Sequence, residues 1–147
     1  MPFSEQRLSD FLTFYLNREW RGGSIIINRE VEIQNRCPSG IGERADIMIQ
    51  TTTSQDGFGK PQPCVVVEVK VDKNVKPEDI PVQLVGKYLD GDSRTCGIYL
   101  VAWYGKSRSS VESIRAKSDQ IARNSCTDSI RVSAKVLDLS HSLNEDK

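Results

Sequence analysis

Glu68 and Lys70 stand two residues apart inside a valine-rich run, CVVVEVKV, and Asp46 lies near the start of the apolar segment before it, ADIMIQ. A strand turns successive side chains to opposite faces, so Val65, Val67, Val69 and Val71 share one face while Val66, Glu68 and Lys70 share the other. Glu68 and Lys70 are then same-face neighbours, roughly 7 Å apart at about 3.3 Å of rise per residue. On the preceding segment Ala45, Ile47 and Ile49 share a face, leaving Asp46, Met48 and Gln50 opposite. Pairing the two strands brings Asp46 beside Glu68. Carboxylates held this close repel each other unless a proton or a cation lies between them, and hard divalent cations take oxygen ligands. Together the three residues can hold Mg²⁺ or Mn²⁺ beside an attacking water. Taken alone, the Glu-x-Lys spacing also describes the wet face of an ordinary amphipathic strand.

Other charged residues fall around this core. Glu5 lies in the first turn of a helix and close to its apolar stripe, where it is either drawn into the site or stabilised by the helix dipole. Glu30 and Glu32 are alternatives for the same place, although REVEI reads more simply as a solvated strand face. Arg44, just before Ala45 and Asp46, is placed to meet a phosphate near a bound metal. Gln83 and Lys87 form an i,i+4 pair off the apolar stripe of a later helix. Between Tyr104 and Asn124 come Lys106, Arg108, Arg115, Lys117 and Arg123 against only Glu112 and Asp119. That segment is the strongest candidate phosphate-binding surface, with Trp103 and Tyr104 at its edge; it also reads as a plain solvated helix face.

The elements that position these residues follow from periodicity. Leu8, Phe11, Leu12, Tyr15 and Leu16 recur at helical spacing after Ser4, an N-cap type, and predict a helix ending near Trp20. SIIINREVEI predicts a strand with Ile25, Ile27, Val31 and Ile33 on one face. A loop through Pro38, Gly40 and Gly42 leads to the strand Ala45–Gln50, and TTTSQDGFGKPQP is a long turn, a candidate substrate-facing flap, before Cys64. Pro77 and Pro81 open a second helix whose buried side is Leu84, Val85, Tyr88 and Leu89. GIYLVAW reads as a strand covered on both faces. Ser109 and Glu112 have capping-box spacing for a third helix from about Ser110. IRVSAKVLDL closes the order as a strand, and the tail from Ser140 is polar. The series α-β-β-β-α-β-α-β predicts a mixed sheet between helices.

The 147 residues, with 37% hydrophobic and 27% charged, suit one domain. No run approaches the length of a membrane span and the amino terminus has no apolar signal segment, so no membrane partner and a cytoplasmic location are expected. The four cysteines include no CxxC pair and His141 is solitary, which argues against a zinc site. Zero formal net charge leaves any nucleic-acid contact to a local basic surface. There is no P-loop, glycine-rich dinucleotide turn or Ser-His pairing.

The D…ExK pattern with this element order resembles the PD-(D/E)XK nuclease superfamily. That likeness implies a restriction-endonuclease-like αβββαβ core, an α/β fold whose mixed central sheet is flanked by helices, here with an added C-terminal helix and strand. NREVEI, GERADIMI, VVVEVK, PVQLVGKYL and GIYLVAW further resemble a nuclease-like domain of large bacterial proteins, some carrying NTPase modules of the kind used in anti-phage defence. By resemblance, Asp46 and Glu68 coordinate Mg²⁺ (or Mn²⁺) with the Val69 carbonyl, Lys70 orients the water, and Glu5 adds a ligand. Some branches also place a glutamine and a tyrosine on the next helix, which Gln83 and Tyr88 match at a spacing one longer than the commonest, so that Tyr88 reads more simply as a core residue. Ala45 stands where the superfamily's name has proline. The expected partner is nucleic acid, DNA ahead of RNA, with an NTPase or sensor module and a homodimer as further expectations; a catalytically silent module of the same fold is the alternative.

Overall fold

The computed structural model describes residues 4–21, 24–33, 43–51, 63–106 and 109–140. Helix α1, Glu5–Glu19, starts where Ser4 accepts the Arg7 N–H at 3.3 Å and stops where the Trp20 N–H reaches the Leu16 carbonyl. Leu8 is buried, and Leu12 and Leu16 pack beside it against the sheet. Phe11 and Tyr15, expected in the same stripe, are 56% and 48% exposed and stack on each other instead. The i, i+4, i+8 row Leu8–Leu12–Leu16 is enough to cover the strands beneath, and the aromatic pair sits off that row.

Five strands come after it: β1 Ile25–Ile33, β2 Glu43–Thr51, β3 Cys64–Val71, β4 Cys96–Trp103 and β5 Arg131–Asp138. They form one sheet in sequence order, β1-β2-β3-β4-β5. The first two joints are antiparallel and the last two parallel. Parallel neighbours need crossovers; a helix at Ile80–Tyr88 links β3 to β4, and α2, Val111–Asn124, links β4 to β5. Both crossovers lie on one face, where Ile80, Leu84, Tyr88, Ile114 and Ala122 pack with Val66, Tyr99 and Val101. Helix α1 covers the other face, over Ile27, Ile47, Val67 and Val69. The result is an α/β fold with a mixed five-stranded sheet between helices, in the expected element order.

Three details differ from expectation. The crossover helix Ile80–Tyr88 is a π-helix, closing on the Leu89 N–H to Leu84 carbonyl bond at 3.2 Å. Gly86 suits that wide turn, since a Cβ there would meet the Pro81 carbonyl oxygen at 3.2 Å. The helix also presses close on β4: a Cβ at Gly97 would stand 3.0 Å from the Leu84 side chain. Second, Ser110 rather than Ser109 caps α2, accepting the Ser113 N–H at 3.1 Å.

Third, strict alternation fails midway along β1 and β2. Ile27, Ile47 and Ile49 belong with the α1 face, whereas Val31 and Ala45, of the same parity, pack in the cluster on the opposite face. The switch falls where Glu30 takes φ of 50° and the Glu30–Asp46 rung is missing from an otherwise continuous register. A left-handed residue rotates the pleat, so the side chains beyond it change sides. Most of the expected flap, and the loop through Pro38, Gly40 and Gly42, lie outside the described residues.

Candidate metal centre

Strands β2 and β3 pair only from Ile47–Gln50 to Cys64–Val67, while β3 continues beside β4 as far as Val71. Beyond Val67 the β2 side of β3 is therefore an open edge whose amides need other partners. Carboxylates provide them. Val69 N–H donates to Asp46 Oδ2 at 2.7 Å. Val71 N–H donates to Glu5 Oε1 at 3.3 Å, and Asn74 Nδ2 donates to the same oxygen at 3.0 Å. A strand residue turns its N–H and C=O to the same side, so the Val69 carbonyl faces the opening that Asp46 occupies.

Glu68 lies on the crossover-helix face, 3% exposed, beside its β4 partner Tyr99. Its Oε1 pairs with Lys70 Nζ at 2.7 Å, and its Oε2 is buried with no hydrogen-bond partner among the described residues. Burial, then the Asp46 charge, push the Glu68 carboxyl up to about 7, although Lys70 pulls the other way. Burial also raises Asp46, against the Val69 amide bond and Lys70, with Glu5 adding to the rise. Burial works to depress Lys70, but the bond to Glu68 and the charges of Glu68, Glu5 and Asp46 outweigh it and raise its pKa. Each of these groups feels the others: Glu5, Asp46, Glu68 and Lys70 converge on one end of β3.

Among the described residues, no three Asp, Glu, His or Cys side chains form a ready ligand cluster. Asp46 and Glu5 each hold a β3 amide, and Glu68 holds Lys70. Magnesium asks for less, since it keeps several waters and is commonly bound through one or two carboxylates plus substrate oxygens. An orphaned carboxylate oxygen on Glu68, a second carboxylate on Asp46 and the buried Val69 carbonyl on the same side of β3 fit that demand. Their mutual repulsion is what a cation would relieve.

The remaining candidates divide. Gln83 reaches the Tyr88 hydroxyl at 3.5 Å, and that hydroxyl donates to the Arg44 carbonyl at 3.0 Å. The pair thus braces the β2 end that carries Asp46; Tyr88 is a core residue. The Arg44 side chain, two residues before Asp46, is exposed, and Lys87 is exposed on the π-helix. Lys106 lines a cleft of about 600 Å³ that also includes Glu5. Arg115 and Lys117 are exposed on α2, which packs against β5 and the π-helix, away from the open edge; Lys117 pairs with Glu78. Arg108 lies outside the described residues. Trp103 and Tyr104, expected at the rim of a basic surface, are buried, because both faces of β4 are covered. Glu30 pairs with Arg29, and the Glu32 side chain lies outside the described residues.

Sequence reasoning passed over Asp72, Lys73, Asn74 and Arg29. Asp72, at φ of 40° and buried, accepts the Tyr104 N–H at 2.7 Å and ties the end of β4 to that of β3. Arg29 bonds Asp10 and Glu30, and its charge reaches Asp46. The run VDKN directly after Glu-x-Lys was the available signal for the first three, since it must sit where the strand ends. Comparison with protein-family models, with curated proteins and with solved structures finds no match to this chain.

Proposed function

We propose that this chain is a metal-dependent nuclease that hydrolyses phosphodiester bonds, with DNA as the preferred substrate, built on a restriction-endonuclease-like core. The observation that carries the reading is that Asp46, bonded to the Val69 amide, and the buried Glu68–Lys70 pair lie close enough to shift one another's ionisation, with one Glu68 oxygen buried and unbonded among the described residues. The D…ExK resemblance and the α-β-β-β-α-β order support the same conclusion.

Asp46, Glu68 and the Val69 carbonyl would hold Mg²⁺ or Mn²⁺, with Glu5 beside them. The bound ion supplies charge stabilisation for the phosphoryl oxygens and a water of lowered pKa. Lys70, kept protonated by its acidic neighbours, donates hydrogen bonds that orient the attacking water and the phosphate. It acts as a positioner and a charge stabiliser rather than a base. Water oxygen attacks phosphorus and gives up a proton to bulk solvent, the bond to the 3′ oxygen breaks, and the leaving oxygen takes up a proton from solvent. By the block resemblance, the chain serves as a cytoplasmic effector of a bacterial defence protein, working with an NTPase or sensor module.

A catalytically silent module for nucleic-acid binding or oligomerisation is the second reading. The closed Lys70–Glu68 pair and the lack of a three-ligand cluster among the described residues favour it. Incubation with plasmid, linear duplex, single-stranded DNA and RNA, in Mg²⁺, Mn²⁺ or EDTA, separates the two. Cleavage that needs the metal and disappears in Asp46→Ala, Glu68→Ala and Lys70→Ala, each still folded, is expected. Equal turnover by Glu68→Ala and wild type would overturn the assignment.

A further inference from the structure

The cleft beside Glu5 starts where the Lys70 strand ends. Ser4, Glu5 and Gln6 of α1 form one wall, Val71 to Asn74 another, and Lys106, just after β4, the third. Its volume of about 600 Å³ falls in the range of small-ligand sites, roughly 300–1,000 Å³, and accommodates one nucleotide unit.

The charges in it are unevenly used. Both anions of the lining are already engaged, Glu5 with the Val71 amide and Asn74, and Asp72 with the Tyr104 amide. The two cations are not. Among the described residues neither Lys73 nor Lys106 has an ion-pair partner, whereas Lys70, Lys117, Arg29 and Arg94 each hold a carboxylate. The lining is formally neutral, two acids against two lysines, but the acids are spent on N–H donors, so the two exposed ammonium groups are the donors left for an anion.

We infer that this cleft seats the nucleotide adjoining the cleaved bond, with Lys73 and Lys106 gripping its phosphate. The inference rests on the nuclease reading of Asp46, Glu68 and Lys70. Glu5 belongs to both places: it walls the cleft and stands at the acidic site, so a strand lying in the cleft brings its next phosphate to the β3 edge. Basic residues on α2 are not needed for this grip.

The test compares wild type, Lys73→Gln/Lys106→Gln and Lys73→Arg/Lys106→Arg, after thermal melts confirm that each is folded. Binding of short fluorescent oligonucleotides is read by anisotropy in EDTA across a salt series, and cleavage kinetics are read in Mg²⁺. Each lysine withdrawn from a phosphate takes about one unit off the slope of log affinity against log salt. The glutamine pair is expected to lower the slope by about two units and to raise KM while kcat holds near wild type; the arginine pair restores both. A wild-type enzyme that cleaves, with slope and KM unmoved in the glutamine pair, overturns the inference and leaves the nuclease reading standing. A fall in kcat alone, or equal loss in the arginine pair, also overturns it. A wild type that neither binds nor cleaves fails the nuclease reading, and the inference falls with it.

Discussion

Glu68 is a buried acid with one oxygen on an ammonium and the other without a partner among the described residues, and its ionisation is set by that imbalance. Its carboxyl shifts from 4.5 to about 7, so the native state keeps a proton that the unfolded chain releases across that window. Stability is therefore fully present below about 4.5 and is lost as pH rises through about 7. Without divalent metal, wild type is expected to lose on the order of 3 kcal/mol relative to Glu68→Gln over this range, read from denaturant midpoints at several pH values. A flat difference would show that Glu68 is ionised throughout. Metal ligands must be deprotonated, so Mg²⁺ affinity is expected to rise roughly tenfold per pH unit below the Glu68 pKa and then level off. Calorimetric titration of the protein alone measures it, and Glu68→Gln is expected to reduce the pH dependence to what Asp46 contributes. That Glu68 and Lys70 share a face was legible because strand parity is a short-range rule. The expected Asp46–Glu68 strand pairing is not formed, since β2 and β3 pair only as far as Ile47 and Val67 and Asp46 instead takes the Val69 N–H. The orphaned oxygen was not legible either, since a lone pair's fate depends on what packs around it.

At the scale of elements, the site exists because β2 leaves β3 early. The amides this exposes are capped by Asp46 and Glu5, so the two acids are structural caps as well as ligand candidates. The β2 end is held from the far side by the Tyr88 hydroxyl on the Arg44 carbonyl. Tyr88→Phe is expected to cost about 1 kcal/mol, measured by chemical denaturation, and to slow cleavage several-fold as the Asp46 segment loosens. Unchanged turnover at reduced stability would separate the brace from the chemistry. Local signals predicted the strands well: the Cys64–Val71 strand lies where its valine run said, and Ser4 caps α1. They misplaced the cap of α2 by one residue, because Ser109 and Ser110 are chemically alike and only the chain path chooses between them. They also missed the parity switch at Glu30, since no side-chain pattern announces a positive φ at a glutamate.

For the whole molecule, one sheet carries two apolar clusters, one under α1 and one under the π-helix and α2. Both clusters use side chains of β2, β3 and β4, so neither can melt alone. Leu8→Ala and Leu84→Ala, one in each cluster, are expected to cost about 2–5 kcal/mol apiece while leaving a single transition seen alike by fluorescence and circular dichroism. Two separated transitions would mean that the faces fold independently. Composition, hydrophobic period and the acid–lysine spacing were enough to settle the α/β class, the element order and which strand bears Glu68, because each depends on neighbours a few residues away. Tertiary structure alone decided that Glu5 meets Val71 across a sequence separation of 66, that Trp103 and Tyr104 are core, and that Lys73 and Lys106 share a cleft. Those outcomes depend on where the strands part and how helices close over them, and chain-distant packing of that kind leaves no periodic trace in the order of the residues.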